Sequence, residues 1–352
     1  MTDSLERLRA RIDALDQEIL DRLVARAEAA QRIGELKQTL KTGVMDPGRE
    51  RAVLEALLAA NHGRYPPRAL TAIFREIISA SRAMEEAITV GFLGRPGAFA
   101  DLATRTRFGA SVQPVSYTDP GELLRDLEAG AIRHALVSRD VGDEDPALDN
   151  FDRFLDRKVT LFGETRLDRG YAALALQPDT APSRIFGHPA ALARCRGYLE
   201  KSGGTAVATA GSFEACAAAL AGEGIALAPW GSADPALQVA ASRVEDDPDT
   251  PRRFLLLATS PPPRTGRDRT AFVCTLANQA GALSSLLAAF QGAGINVAWI
   301  EMRESRHRPW EHAFFLEVDG HQEDSQLSTA LAQARMVCSH LQTLGSYPLD
   351  GG

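Results

Sequence analysis

Arg9, Arg26, Lys37, Asp46, Arg49, Glu50, Ser81 and Glu85 are the residues near the start of the chain whose types and spacing could do chemistry. Taken singly, each reads as a solvated helix face, and Arg49 and Glu50 as first-turn dipole chemistry. The set says more than its members. Three arginines and a lysine occur with carboxylates and a hydroxyl, in a stretch with no His or Cys motif for metal or nucleophilic work. Guanidinium groups hold carboxylates through paired hydrogen bonds, so such a pocket suits a small dicarboxylate. The chemistry it favours needs orientation and electrostatic stabilisation, with no covalent intermediate.

Helices must position these groups. Leu5, Leu8, Ile12, Leu15 and Ile19 alternate in steps of three and four, and Leu23, Ile33, Leu36 and Leu40 carry the apolar face onward. One helix is expected over 4–40, capped by Asp3 or Ser4 and ended by Lys41-Thr42-Gly43. At 1.5 Å per residue it is a rod of roughly 55 Å, longer than a small domain is wide. A second copy of itself is its simplest partner. Asp46-Pro47 supplies an N-cap and a first-turn proline for a helix over 47–61. Tyr65-Pro66-Pro67 breaks again before a helix over 67–86.

The pattern changes at Ile88. Short apolar runs then alternate with helical stretches up to about residue 260, the signature of an α/β domain. Strands are expected at 88–93, 132–137, 170–176, 183–186, 224–228 and 253–258, and helices at 119–129, 189–200 and 212–221. A Pro- and Gly-rich linker from Ser260 precedes a βαββαβ order that fits a ferredoxin-like sandwich.

The segments LRARIDALDQEILDRLVARAEAAQRIGELK, VMDPGRERAVLEAL and FREIISASRAMEE resemble the all-helical chorismate mutase domain. GFLGRPGAFADLA, GHPAALARCRGYL and NQAGAL extend the likeness to the bifunctional chorismate mutase–prephenate dehydratase family. The resemblance implies a helical mutase domain (1–87), a two-lobed α/β dehydratase-like domain (88–262) and a regulatory ACT domain (267–352). It implies that Arg26, Lys37 and Arg49 face one substrate, and that Arg9 enters from the partner chain of a homodimer. Arg9, Arg26 and Arg49 would hold the carboxylates of chorismate, and Lys37 the departing ether oxygen. Asp46 and Glu50 would position the ring hydroxyl, and Ser81 would support binding. Glu85 stands where the family carries Gln or Glu as a donor to the ether oxygen. A carboxyl group donates only when protonated. Burial favours that form, whereas nearby Lys37 favours the ion.

In the middle domain the match weakens at particular positions. The family's hydroxyls on the first loop become Ala98 and Ala100. Its Pro-Ile-Glu-Asn-Ser segment becomes Ser138-Arg139-Asp140-Val141-Gly142, and a Ser-Thr pair becomes Gly211-Ser212. The Thr of its Thr-Arg-Phe motif becomes Arg252, while Phe99, His188, Pro189, Cys195, Tyr198, Arg253 and Phe254 remain. These losses remove donors expected to assist departure of hydroxide. The expectation is a chorismate mutase fused to a domain impaired in dehydration. One alternative is the fully bifunctional enzyme making phenylpyruvate under phenylalanine feedback. The other is a non-catalytic ligand- or partner-binding module. Asn278, Gly281, Ala282, Leu283 and Glu301 are the candidate effector residues, although the family's Glu-Ser-Arg-Pro reads Glu301-Met302-Arg303-Glu304 before Trp310 and Glu311.

Composition sets the outer bounds. The chain has 352 residues, 45% hydrophobic and 24% charged, with a formal charge of −7. A mildly acidic chain is a poor ligand for nucleic acid or anionic membranes, though a few focused arginines still suit a small anion. Cys195, Cys216, Cys274 and Cys338 form no CxxC motif and read as buried free thiols of a reducing compartment. With neither a long apolar run nor a signal-like start, a cytoplasmic location is expected, and no cofactor or metal is called for.

Overall fold

The computed structural model describes residues 5–40, 45–85, 88–139, 145, 157–168, 170–179, 182–231, 234–249, 251–304 and 312–349. The expected cap at Asp3 or Ser4, the breaker at 41–43, Asp140, Val141, Gly142, Trp310 and Glu311 lie outside them. The chain packs as two compact units. One holds residues up to Ile88 together with Phe108–Gln113, and the other holds Thr89–Arg107 and Pro114 onward.

The first unit is helical: α1 (Leu5–Leu40), α2 (Pro47–Asn61) and α3 (Pro67–Glu85). α1 has 36 residues. α2 starts as its sequence demands, with the Asp46 carboxylate accepting from the Arg49 N–H at 2.9 Å and Pro47 in the first turn. Gly34 lets α1 approach α3 closely, because a Cβ there would lie 3.0 Å from Glu85 Cγ. Most of the apolar stripe of α1 faces outward: Leu5, Leu8, Ile12, Leu15 and Ile19 are all exposed in the single chain.

The second unit begins with a five-stranded sheet ordered β2-β1-β3-β10-β4, built from β1 (Thr89–Leu93), β2 (Gln113–Tyr117), β3 (His134–Ser138), β4 (Thr160–Leu167) and β10 (Arg252–Ala258). Helices α4 (Phe99–Phe108) and α5 (Pro120–Ala129) accompany it. A second sheet, ordered β7-β6-β8-β5-β9, contains β5 (Tyr171–Ala175), β6 (Arg184–Gly187), β7 (Thr205–Ala208), β8 (Ile225–Pro229) and β9 (Gln238–Ser242). Its helices are α6 (Pro189–Arg194), α7 (Arg196–Ser202) and α8 (Ser212–Leu220). The expected helix over 189–200 is thus broken at Cys195, which lies between α6 and α7 with φ −113° and ψ 31°. Strands β2, β4, β7 and β9 and helix α4 were not among the expected elements.

The third sheet is ordered β12-β13-β11-β14, with β11 (Asp268–Leu276), β12 (Val297–Glu304), β13 (His312–Asp319) and β14 (His340–Pro348), and carries α9 (Ala282–Gly292) and α10 (Ser325–Val337). This is the expected βαββαβ order. On β11, Phe272, Cys274 and Leu276 join the core beneath the two helices, while Ala271 and Val273 join a core shared with the first sheet. The alternation is the two-residue period of a strand buried on both faces. Thr160 Oγ1 on β4 donates to Leu344 O on β14 at 2.8 Å, across the same junction.

Candidate functional sites

In the helical unit, α1 and α3 bring four of the expected residues into two pairs. The Arg26 guanidinium donates to Ser81 Oγ, and also to Ile77 O at 3.4 Å. Ser81 Oγ in turn donates to Ile77 O at 2.8 Å, which fixes the hydroxyl. Three turns further along α1, Lys37 Nζ lies 3.5 Å from Glu85 Oε2, whose side chain is 8% exposed. Ser81 and Glu85 are separated by about 6 Å of helix rise. Arg26 and Lys37 are separated by about 16 Å of rise on α1.

Glu50 follows Asp46 by one helical turn and ion-pairs with Arg82 at 3.3 Å. Arg82 was not among the expected residues. It is buried, donates to Phe108 O at 3.1 Å and stacks over the Phe108 ring at 5.8 Å. The signal was there: Arg82 lies four residues after Ile78 on the apolar stripe of α3, where an exposed charge has no place. Arg49 is exposed at the start of α2. Arg9 is exposed on α1, about 26 Å of helix away from Arg26, so one chain cannot bring these two together.

In the second unit, the substituted positions line the place where the first two sheets meet. Ala98, Phe99 and Ala100 open α4 and are fully buried. The Phe99 ring meets Tyr171 of β5 edge-on, with centroids 4.8 Å apart. Arg252, at the start of β10, lays its guanidinium 3.7 Å from the Phe99 centroid and 5.1 Å from that of Tyr171. Its charge is balanced by Glu245 at 3.8 Å, which also accepts from Tyr171 N at 2.9 Å. Gly170 leaves room for this carboxylate, since a Cβ would lie 1.7 Å from Glu245 Oε1 and would make the side chain shift. Asp145 supplies a buried carboxylate that accepts from Ala100 N at 2.8 Å. At the rim, Arg95 before α4 bonds Glu214 of α8 at 3.0 Å, joining the two lobes. Ser138 is buried at the end of β3, and Gly211 caps α8 in an extended conformation. Asp145, Glu245 and Tyr171 were missed, because nothing local in the sequence ties them to the motif positions.

Immediately beyond these positions lies a buried charge cluster. Arg139, next to Ser138, places Nη1 at 3.0 and 3.1 Å from the two oxygens of Glu317 on β13. Arg253, next to Arg252, pairs with Glu164 of β4 and reaches Glu317 at 3.2 Å. Arg139 also stacks 4.1 Å over the ring of Trp299 on β12. Burial pushes the Glu164 carboxyl up, but hydrogen bonds from Arg253 and Arg166 outweigh it and hold the group below the usual carboxylate range. Burial works against the charge of Arg139 while Glu317 supports it, and the net direction is downward. A carboxylate inside an apolar strand, as in Thr-Leu-Phe-Gly-Glu164 and Phe-Phe-Leu-Glu317, is the signal that sequence reading passed over.

The effector candidates are split. Asn278, Gly281 and Leu283 are exposed around the turn from β11 into α9, where Gly281 takes φ +85° and Ala282 begins the helix. Glu301 is half-buried on β12, the edge strand separated from β11 by β13.

A helical module with two cations paired across its helices, a two-lobed α/β module and a βαββαβ module define a multidomain protein of the kind built from a small helical enzyme domain, an α/β enzyme domain and a regulatory domain. Residues 8–86 match the description Chorismate mutase type II, residues 90–262 Prephenate dehydratase and residues 270–335 ACT domain. The chain is 32% identical to the bifunctional chorismate mutase/prephenate dehydratase of Pseudomonas aeruginosa, covering 98% of each protein. It is 31% identical to that of Aquifex aeolicus, again over 98% of each. A solved prephenate dehydratase from Arthrobacter aurescens, in complex with L-Phe, is 26% identical with a TM-score of 0.66, covering 74% of this chain and 90% of that one. The chain belongs to the bifunctional chorismate mutase/prephenate dehydratase family. No described helix is long and apolar enough to cross a membrane.

Proposed function

We propose that this protein rearranges chorismate to prephenate in its helical unit and dehydrates prephenate to phenylpyruvate between the lobes of its second unit. The observation that carries the first half is the pairing of Arg26 with Ser81 and of Lys37 with Glu85 along two packed helices. In the rearrangement the ether C–O bond breaks as a C–C bond forms, with no covalent intermediate. Arg26 and Arg49 anchor carboxylates, which fixes the reactive conformer. Lys37 stabilises negative charge growing on the ether oxygen. Glu85, protonated, donates to the same oxygen. Asp46 and Glu50 order the cations and the ring hydroxyl. Arg9 completes the pocket from a second copy of the chain, so the catalytic species is a homodimer through α1.

The second half rests on full-length likeness to bifunctional relatives, which favours an active dehydratase over the impaired one expected from the motifs. Arg252, held by Glu245 and two aromatic rings, is a rigid cation suited to a substrate carboxylate. The turn at Asn278–Leu283 is the proposed binding place for L-phenylalanine, and the location is proposed as cytoplasmic. The rival reading is a mutase with a silent second domain. Ala98, Ala100, Gly211 and Arg252 favour it, since none offers the hydroxyl that its family position carries.

Purified protein given chorismate decides between them, with products followed over time. Prephenate should appear first and phenylpyruvate after it. Accumulating prephenate without phenylpyruvate would establish the rival. Full turnover of chorismate by an Arg26→Ala variant would overturn the mutase site.

A further inference from the structure

Two of the four cysteines are neighbours in space although 64 positions separate their numbers, 338 − 274. Cys274 lies on β11 and is fully buried, on the face that turns Phe272 and Leu276 toward the helices. Cys338 is the residue at which α10 ends, and it packs against the same core while remaining half-buried. The chain leaving α10 is tied to this strand, since Ser339 N donates to Thr275 O at 2.9 Å. Both side chains thus enter one core from backbone segments that are hydrogen-bonded side by side.

We propose that Cys274 and Cys338 are a peroxide-sensitive thiol pair that closes a reversible disulfide between β11 and the end of α10. The half-buried sulfur faces the oxidant and the buried one resolves it. The neighbouring Cys274 holds the Cys338 thiol below its ordinary value against the effect of burial, while Cys338 and burial push the Cys274 thiol up. Cys338 is therefore the member with thiolate character, the nucleophilic form. Its thiolate attacks one oxygen of hydrogen peroxide. The O–O bond breaks, hydroxide leaves and takes up a proton as water, and Cys338 becomes a sulfenic acid. The Cys274 sulfur then attacks that sulfur, the S–O bond breaks, and the departing hydroxide takes the Cys274 proton as a second water. Two thiols and one peroxide become one disulfide and two waters, with both sulfurs oxidised and the peroxide oxygens reduced. The other two cysteines, Cys195 and Cys216, are both buried, and burial pushes the Cys195 thiol up to about 12, so it stays a protonated, inert thiol.

The test is mild hydrogen peroxide on the full-length protein, followed by alkylation and peptide mapping. Peptides are needed because Met336, 86% exposed, gains oxygen under the same treatment. The expected product is a linked Cys274–Cys338 pair, lighter by two hydrogens and released by dithiothreitol, with the other two of the four thiols still titratable in urea. In a Cys274→Ser variant the sulfenic acid at Cys338 should instead persist and react with dimedone. The inference fails if Cys338 in the native protein stops at a sulfenic or sulfinic acid, if the bond forms between chains, or if both thiols survive a peroxide dose that oxidises Met336.

Discussion

Glu85 is the residue on which the proposed mutase chemistry is most directly tested. Its carboxyl faces Lys37 at 3.5 Å, and the proposed role needs a donated proton. Glu85→Ala, which removes the carboxyl, should lower chorismate turnover by at least about 100-fold. Glu85→Gln supplies an N–H donor at every pH. The Gln variant should keep turnover within about 10-fold of the native chain; a loss as large as that of Glu85→Ala would remove donation from the role of Glu85. Its counterpart in the α/β lobe is Arg252. The sequence registers a lost hydroxyl there, and the structure adds what took its place, a cation locked by Glu245 and two rings. Types and spacing could announce the first residue because Arg26, Lys37, Ser81 and Glu85 sit on helices whose period is regular. They could not announce Glu245, Tyr171 or Asp145, which reach the Arg252 neighbourhood from separate parts of the chain.

At the scale of elements, α1 carries the sharpest consequence. A helix of 36 residues exposes Leu5, Leu8, Ile12, Leu15 and Ile19 along one stripe. Burying a side chain of this size stabilises by about 1.5–3 kcal/mol, so a stripe of this length is a strong drive to associate. Ile12→Glu with Ile19→Glu should give a monomer by light scattering and lower chorismate turnover at least about 100-fold, roughly 2.7 kcal/mol, by removing the partner's Arg9 from the pocket. An active monomer would overturn both the interface and the role of Arg9. The stripe was readable because helical periodicity survives without knowledge of a partner. Strands β2 and β7 were not readable, because they are short, largely exposed and carry no two-residue alternation of burial.

For the second unit as a whole, Glu164, Glu317, Arg139 and Arg253 tie three sheet strands together in a buried cluster. Removing one member of such a pair costs about 3–5 kcal/mol. Glu164→Gln should lower resistance to urea by that order, read from tryptophan fluorescence. The pH response follows from the direction of the shift. The folded-state value of Glu164 lies below the ordinary carboxyl value of 4.5, so its contribution is fully present above that value and is lost as pH falls through the folded one. The native protein should therefore lose stability in acid, and Glu164→Gln should lose less of it over the same range. A steeper acid loss in the variant would contradict the ion-pair account.

The allocation of Phe108–Gln113 to the helical unit bears on how such a gene can be divided. Arg82, Glu76 and Ser79 on α3 all bond this returning segment, through Phe108 O, Ala110 N and Ser111 N. A cut at residue 88 would look clean on a domain map, yet it would leave behind the stretch that seats the far side of α3. The helical unit thus takes in a later stretch of chain, and recombination that exchanges it would have to carry both pieces.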